Sequence, residues 1–293
     1  MSGNIHDIRH HIRAVAETRK ITSAMHLISS ARMKKILQAV EYNRLYKLHI
    51  ESAMNEILES NTDYELPYLA PRGEKNKTYI VISGDKGMVG SYNADVLRMA
   101  KELIVPGESH IITVGMAAAK EFRRLGMQPD IEFGVASQDP SLENARHIMQ
   151  DVIRFYDEGF FDEVYVIFTR FVNSSYRKVE LARLLPLDVD RFRDSPKKEF
   201  MVYHPTAKEL FHLMVPQYIL SRIYGMLMHA YASEQSARIS AMQEATQNAD
   251  SLISSLQLQY NMARQNAITQ EIAEVAGSAM AQTRKEVRTW SGK

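Results

Sequence analysis

Glycine and proline are absent from both ends of this chain and crowded into its middle. Residues 4–66 contain neither, nor do residues 226–276; every proline lies between Pro67 and Pro216, and most glycines between Gly73 and Gly159. Proline removes a backbone donor and fixes φ, while glycine loosens the backbone, so these two residues punctuate regular structure. Their absence predicts a long single helix at each end and a compact domain between them. The predicted division is residues 1–60, 61–205 and 206–293.

The N-terminal segment repeats apolar residues at Ile5, Ile8, Ile12 and Val15, then Ile21, Met25 and Ile28, then Met33, Ile36 and Val40. Steps of three and four define a narrow helical stripe, thin enough for a coiled coil rather than a globular core. Asn4 or Ser2 suits the cap and Asp7 the positive end of the macrodipole. The helix is predicted to reach about residue 59, roughly 85 Å. In the C-terminal segment Ile223, Leu227, Ala230, Ala237, Ala241, Ala245, Leu252, Leu256, Tyr260, Ala263 and Ala267 recur mainly at the same steps. Alanine on the seam lets a partner helix approach closely. A helix of ~70 residues with so thin a stripe is not stable alone and must pair. Pro216 is predicted to break or kink the first stretch, or to stand at the first position of the next helix.

Between the two lies an alternation of strand and helix signals. Residues 61–77 read as a linker rich in turn formers. Strands are predicted at 78–83 (TYIVIS), 111–114 (IITV), 131–135, 163–172 (EVYVIFTRFV) and 179–185, and helices at 94–103, 117–125 and 142–156. This alternation favours an open α/β sheet. The fold class is therefore α/β, a middle open sheet flanked by two long helices that pair with each other or with another protein.

Composition removes several function classes. Formal net charge is +1, which gives no global pull toward nucleic acid. Seven basic residues up to Lys35 against only Asp7 and Glu17 make the first helix locally cationic, suited to acidic protein, phosphate or lipid. There is no cysteine, which excludes disulfides, thiolate nucleophiles and Cys-ligated metal sites. No apolar run approaches the ~18 residues needed to cross a bilayer. The N-terminus enters helical periodicity directly, without a signal core, and the chain reads as cytoplasmic.

Candidate chemistry is sparse. The loop Gly84-Asp85-Lys86-Gly87-Met88-Val89-Gly90-Ser91 sits where nucleotide loops sit in α/β folds. It lacks the Gly-Lys-Ser/Thr ending of a P-loop and the spacing of a dinucleotide fingerprint, and no acidic residue follows the second strand. A tight strand–helix turn is the preferred reading. His6 and His10 have the spacing of two helical metal ligands but no third, which favours a solvated face. Asp188, Asp190, Arg191, Arg193 and Asp194 read as an exposed loop. Ser233 has Glu234 beside it but no plausible base. The 16 methionines suit adaptable packing or a forgiving contact surface. No catalytic, cofactor or metal residues are assigned.

Two stretches are more polar than a two-helix seam requires: residues 18–25 (TRKITSAM), and 245–250 (ATQNAD) continuing through 256–272 (LQLQYNMARQNAITQEI). At these residues the chain resembles the gamma subunits, the central shafts, of F-type ATP synthases. That family carries T-x-K-I-T-x-A-M and A-(R/K)-M-(R/K)-(K/R) in its first helix, matched at 18–25 and 31–35. Its last helix carries A-S-E-(Q/H)-x-A-R, A-T-x-N-A and L-x-L-x-Y-N-x-A-R-Q-x-x-I-T-x-E-(I/L), matched at 232–238, 245–249 and 256–272. Its S-D-(R/K)-G-L-C-G-G-(F/Y)-N loop is matched at Ser83, Asp85, Lys86, Gly87, Gly90, Tyr92 and Asn93. The chain departs from the pattern by the extra Gly84, by Met88-Val89 and Ser91 in the loop, and by a tail continuing from Gln282 to Lys293.

The resemblance implies that the two end helices form a long antiparallel coiled coil inside a hexamer of alternating alpha and beta subunits, and that the middle is a Rossmann-like domain without nucleotide. It implies epsilon and delta subunits and a membrane ring of c subunits as partners, with peripheral placement on the cytoplasmic side of the cell membrane. Rotation driven by ion flow would then push the beta subunits through their catalytic states. The residues implied to contact beta-subunit loops are Met25, Arg238, Arg264, Gln265, Thr269 and Glu271. Tyr203 and Pro205 are implied to lie in the foot near epsilon and the ring. The alternatives from the residues themselves are a static coiled-coil tether or export stalk, and an α/β nucleotide-binding enzyme with helical arms.

Overall fold

The computed structural model describes residues 2–59, 68–70, 72–73, 76–134, 140–174, 176–188 and 207–290, with backbone alone at 2–4, 59, 207–208 and 281–290. The elements are α1 (Ser2–Glu59), β1 (Lys77–Ile82), α2 (Tyr92–Leu103), β2 (Ser109–Val114), α3 (Met116–Arg124), β3 (Ile131–Phe133), α4 (Leu142–Asp157), β4 (Glu163–Phe171), β5 (Arg177–Leu185) and α5 (Ala207–Trp290). They form two compact units, one of Leu27–Ala241 and one of Met1–His26 with Met242–Lys293.

The larger unit is built on a five-stranded sheet of order β3-β2-β1-β4-β5. β1 pairs in parallel with both β2 and β4, β3 joins β2 in parallel, and β5 is an antiparallel edge on β4. β1 is apolar on both faces because both are covered, as parallel strands require. Its Tyr79 and Val81 pack with Val96 and Ala100 of α2 and Ala118 and Phe122 of α3. Its Ile80 and Ile82 face the other way, into a cluster with Ile148 and Val152 of α4, Met54 and Ile57 of α1, and Phe211, Tyr218 and Ile219 of α5. The α/β class and the middle sheet are those expected.

Within this unit α1 and α5 run antiparallel. Ile36 packs with Met228 and Ala232, and further along α1 Asn43 donates to the Ser221 carbonyl at 3.1 Å. Pro216 departs from two of the three expectations, since it neither ends α5 nor starts a second helix. Phe211, Val215, Tyr218 and Ile219 on either side of it are all buried, and that burial outweighs one missing backbone bond.

In the smaller unit the pairing is again antiparallel. Arg9 donates to the Tyr260 hydroxyl at 2.8 Å, Arg19 pairs with Asp250, and the Thr22 and Thr246 hydroxyls meet at 2.7 Å. The seam residues of α1 differ from the apolar stripe in one respect. Ile21 and Ile28 are 60% and 53% exposed, while Thr22 and Ser29 are 8% and 2% exposed. The inward positions Ile8, Val15, Thr22, Ser29, Ile36, Asn43, Ile50 and Ile57 keep a strict seven-residue period. At Thr22 a small hydroxylated residue holds the seam beside Ile21, because it admits close approach and its hydroxyl meets that of Thr246.

Candidate functional site

In the larger unit, β1 and β4 are the neighbouring strands from which the connections wind in opposite directions. Outside the carboxyl ends of such a pair a doubly wound sheet offers a ligand crevice. Here the chain fills that crevice itself. The first N–H groups of α3 are taken by the β1 loop: Met116 donates to Asp85 Oδ1 (2.8 Å), Ala117 to the Gly84 carbonyl (3.0 Å) and Ala118 to Ser83 Oγ (3.0 Å). This contact requires glycine at 115, where φ is +95° and a Cβ would stand 2.2 Å from the Ser83 carbonyl oxygen. The loop is tied inward as well, with Gly84 N–H donating to Asn93 Oδ1 at 2.9 Å.

α5 occupies the remaining space. Residues 232–238 are buried without interruption, and seven consecutive helical residues point in every direction, so the helix is enclosed there. Ser233 donates to the Thr169 carbonyl at the end of β4 (3.0 Å). Ser236 donates to the Ser174 carbonyl (3.0 Å) and accepts from Arg177 (3.1 Å). The extra Gly84 of the loop has a steric reason, since a Cβ there would lie 3.1 Å from Glu234 Cδ. Val89 and Tyr92 complete the contact against Ala237. Glu234 and Arg238 form an ion pair at 2.6 Å with side chains only 9% and 11% exposed. Burial raises the Glu234 carboxyl above its ordinary range, against the opposing pull of Arg238. Burial likewise pushes the Tyr92 phenol well up, with the Glu234 charge adding to it.

Residues 83–91 are thus a strand–helix turn that lacks a phosphate-binding pattern and is tied to α3 and to Asn93. The isolated chain is expected to bind no ATP through this loop and to hydrolyse none. Calorimetric titration of wild type and Lys86→Ala with ATP checks this. ATP binding at millimolar strength or better that Lys86→Ala abolishes would contradict it.

The smaller unit presents the other implied contact residues. Met25 is half-buried, and Arg264, Gln265, Thr269 and Glu271 are exposed, Thr269 donating to the Gln265 carbonyl at 2.9 Å. Large apolar side chains stand exposed on the same helix: Leu258 at 56%, Met262 at 55%, Ile272 at 64% and Val275 at 68%. Residues 271–280 of α5 are exposed throughout. Arg238 lies in the larger unit, in the buried pair just described. Tyr203 and Pro205 fall outside the described residues, as do Asp190, Arg191, Arg193 and Asp194. His6 and His10 are exposed on α1.

Ser233 and Ser236 are positioning residues that composition does not single out, because a run of Ser, Glu and Gln on a helix ordinarily faces water. The signal at this run was its match to the family motif at 232–238.

The ATP synthase family pattern matches residues 4–281. The chain is 37% identical over 287 residues to the ATP synthase gamma chain of Alkaliphilus metalliredigens, covering 96% of this chain and 99% of that one. It is 34% identical over 300 residues to the sodium-ion-specific ATP synthase gamma chain of Acetobacterium woodii, with coverage of 96% and 99%. In fold it is similar to a chain of the Euglena gracilis mitochondrial ATP synthase in its OSCP/F1/c-ring assembly, with TM-score 0.70 and 16% identity over 96% of this chain and 95% of that one. A chain of the central stalk/c-ring structure of the Tetrahymena thermophila mitochondrial ATP synthase gives TM-score 0.58 at 22% identity over 77% of this chain and 99% of that one.

Proposed function

Since this chain belongs to the family of ATP synthase gamma chains, we propose that it is the central rotor shaft of the complex, coupling ion flow through a membrane ring of c subunits to ATP synthesis or hydrolysis at beta subunits. Alone it is non-catalytic. Its partners are the alpha, beta, epsilon and delta subunits and the c ring. It associates peripherally with the cytoplasmic side of the cell membrane; no helix among the described residues is long and apolar enough to cross a bilayer.

The observation that carries this reading is the set of large apolar side chains that α5 leaves exposed in the smaller unit. Ile272, Val275 and Met280 stand 64–74% exposed on α5. Exposed apolar side chains in such a row mark a surface that another protein covers. We assign Met25, Arg264, Gln265, Thr269 and Glu271 to contacts with beta-subunit loops, with Ile21 beside Met25. Arg238 belongs to the same set by family position, and in the larger unit its guanidinium is buried in the pair with Glu234. A shaft biases three equivalent sites only by contacting them differently, and a mixed apolar and charged surface does that.

Pull-down of the tagged chain from its own host tests the assignment. Recovery of alpha, beta and epsilon subunits is expected, and recovery of none of them would contradict it.

The tail beyond the family match is expected to matter little. Deleting residues 283–293 should leave the chain in the purified complex and change ATP hydrolysis by no more than about twofold, since a helix overhang adds few buried contacts. Loss of the chain from the truncated complex would instead make the tail an anchor, through Trp290.

A further inference from the structure

A cleft of about 570 Å³ opens in the larger unit between α1, the β4–β5 edge and α5. Its charged lining is Arg44 and Lys47 from α1, Arg170 from β4, Glu180 from β5, and Arg222 and His229 from α5. Two of these groups are left unfulfilled. Arg222 is 7% exposed, and its guanidinium donates only to neutral oxygens, the Tyr218 hydroxyl at 3.0 Å and the Arg183 carbonyl at 3.3 Å. Among the described residues no carboxylate lies within ion-pair distance of it. His229 Nδ1 is buried with no hydrogen-bond partner. A buried cation without a counter-ion and a buried ring nitrogen without a partner are both costly.

The other cations do not reverse the balance. Glu41 holds Arg44 at 2.6 Å and Glu51 lies 3.7 Å from Lys47. Glu180 is 3.6 Å from Arg170 and is shared with Lys178 at 3.9 Å. Among the described residues Glu180 is therefore the single carboxylate lining the cleft, against four cations.

We propose that this cleft binds a small phosphate-type oxyanion, inorganic phosphate or a pyrophosphate group, bridging α1, the β4–β5 edge and α5. Arg222 supplies the buried charge, and Lys47 and Arg170 close over the anion from the rim. His229 takes up a proton at Nδ1 when the anion arrives and donates it as a hydrogen bond. Burial holds His229 below its ordinary range, and the charges of Arg170 and Lys47 act in the same direction while Glu180 opposes them. An anion reverses the sign of that field, so binding and protonation strengthen each other and affinity rises as pH falls. The site is distinct from residues 83–91 and independent of the shaft assignment. Its occupancy would tie the two long helices to the sheet edge.

The test is titration of the full-length chain with inorganic phosphate and with pyrophosphate at fixed ionic strength, followed by histidine NMR, with His229→Gln identifying the resonance. Saturable binding is expected, tighter for pyrophosphate, with the His229 pKa rising on binding and affinity increasing from about pH 8 to about pH 6. Lys47→Gln and Arg170→Gln, both at partly exposed side chains, should each weaken binding at least about fivefold at unchanged melting temperature, and Lys86→Gln should not. ATP as a competitor separates the sources: competition means the cleft takes a polyphosphate chain, and none means it takes the free ion. Absence of saturable binding up to about 10 mM pyrophosphate, or binding insensitive to both Lys47→Gln and Arg170→Gln, overturns the proposal.

Discussion

Replacing Ala245 by proline is expected to abolish ATP-driven ion pumping or to prevent assembly, while leaving the sheet unit folded. Ala245 sits half-buried inside α5, where proline removes a bond to the preceding turn and drives its ring against it, at a cost of about 3 kcal/mol. The damage to function exceeds that figure. Thr246, which meets Thr22 at 2.7 Å, and Asp250, which pairs with Arg19, lie within the next two turns, and a kink displaces both from α1. A bent shaft cannot hold a fixed surface against successive partners. Fluorescence-quench assays of pumping in membrane vesicles, alongside subunit recovery, measure the outcome. Normal pumping by a fully assembled Ala245→Pro complex would show that this stretch is not a continuous shaft.

The second large effect is expected at Arg238. Arg238→Ala leaves the Glu234 carboxylate enclosed without its cation, and breaking a buried pair this way costs about 3–5 kcal/mol. The loss should depend on pH in a defined direction. The folded-state pKa of Glu234 is raised by burial, so the folded chain holds a proton that the unfolded chain releases, and stability declines as pH rises through that value. Without Arg238 the raising is stronger. The melting-temperature gap between Arg238→Ala and wild type should therefore be wide above neutrality and narrow as pH falls toward the ordinary carboxylate range. Replacing both partners, Glu234→Gln with Arg238→Met, should recover much of the loss. A single variant that melts with wild type at all pH values would mean the pair contributes nothing to seating α5 in the crevice.

The same pair marks where sequence reasoning stopped. The strands were legible because β1 and β4 are β-branched and aromatic runs between turn residues, and burial on both faces leaves no other use for them. The long helices were legible from the absence of glycine and proline. The seam was legible only in part. Hydrophobicity follows Ile21 and Ile28, whereas the seven-residue period follows Thr22 and Ser29, and a buried hydroxyl pair carries no hydropathy signal. The run Ser233-Glu234-Gln235-Ser236 misleads for the same reason: its polarity serves carbonyls at the end of β4 and a buried arginine, not water. Pro216 was overruled by four buried neighbours. The exposed set of Arg264, Gln265, Thr269 and Glu271 was named by family likeness alone, since a surface that only a partner covers obeys no rule of internal packing.

The shaft assignment is tested most directly by watching the chain turn. It contains no cysteine, so Arg98→Cys, at a side chain 70% exposed on α2, gives a unique attachment point. With the alpha and beta subunits immobilised and a gold particle on that cysteine, addition of ATP is expected to produce sustained rotation in one direction, stopping when ATP is removed. A complex that hydrolyses ATP at full rate while the particle stays fixed would contradict the rotor assignment and favour a static tether.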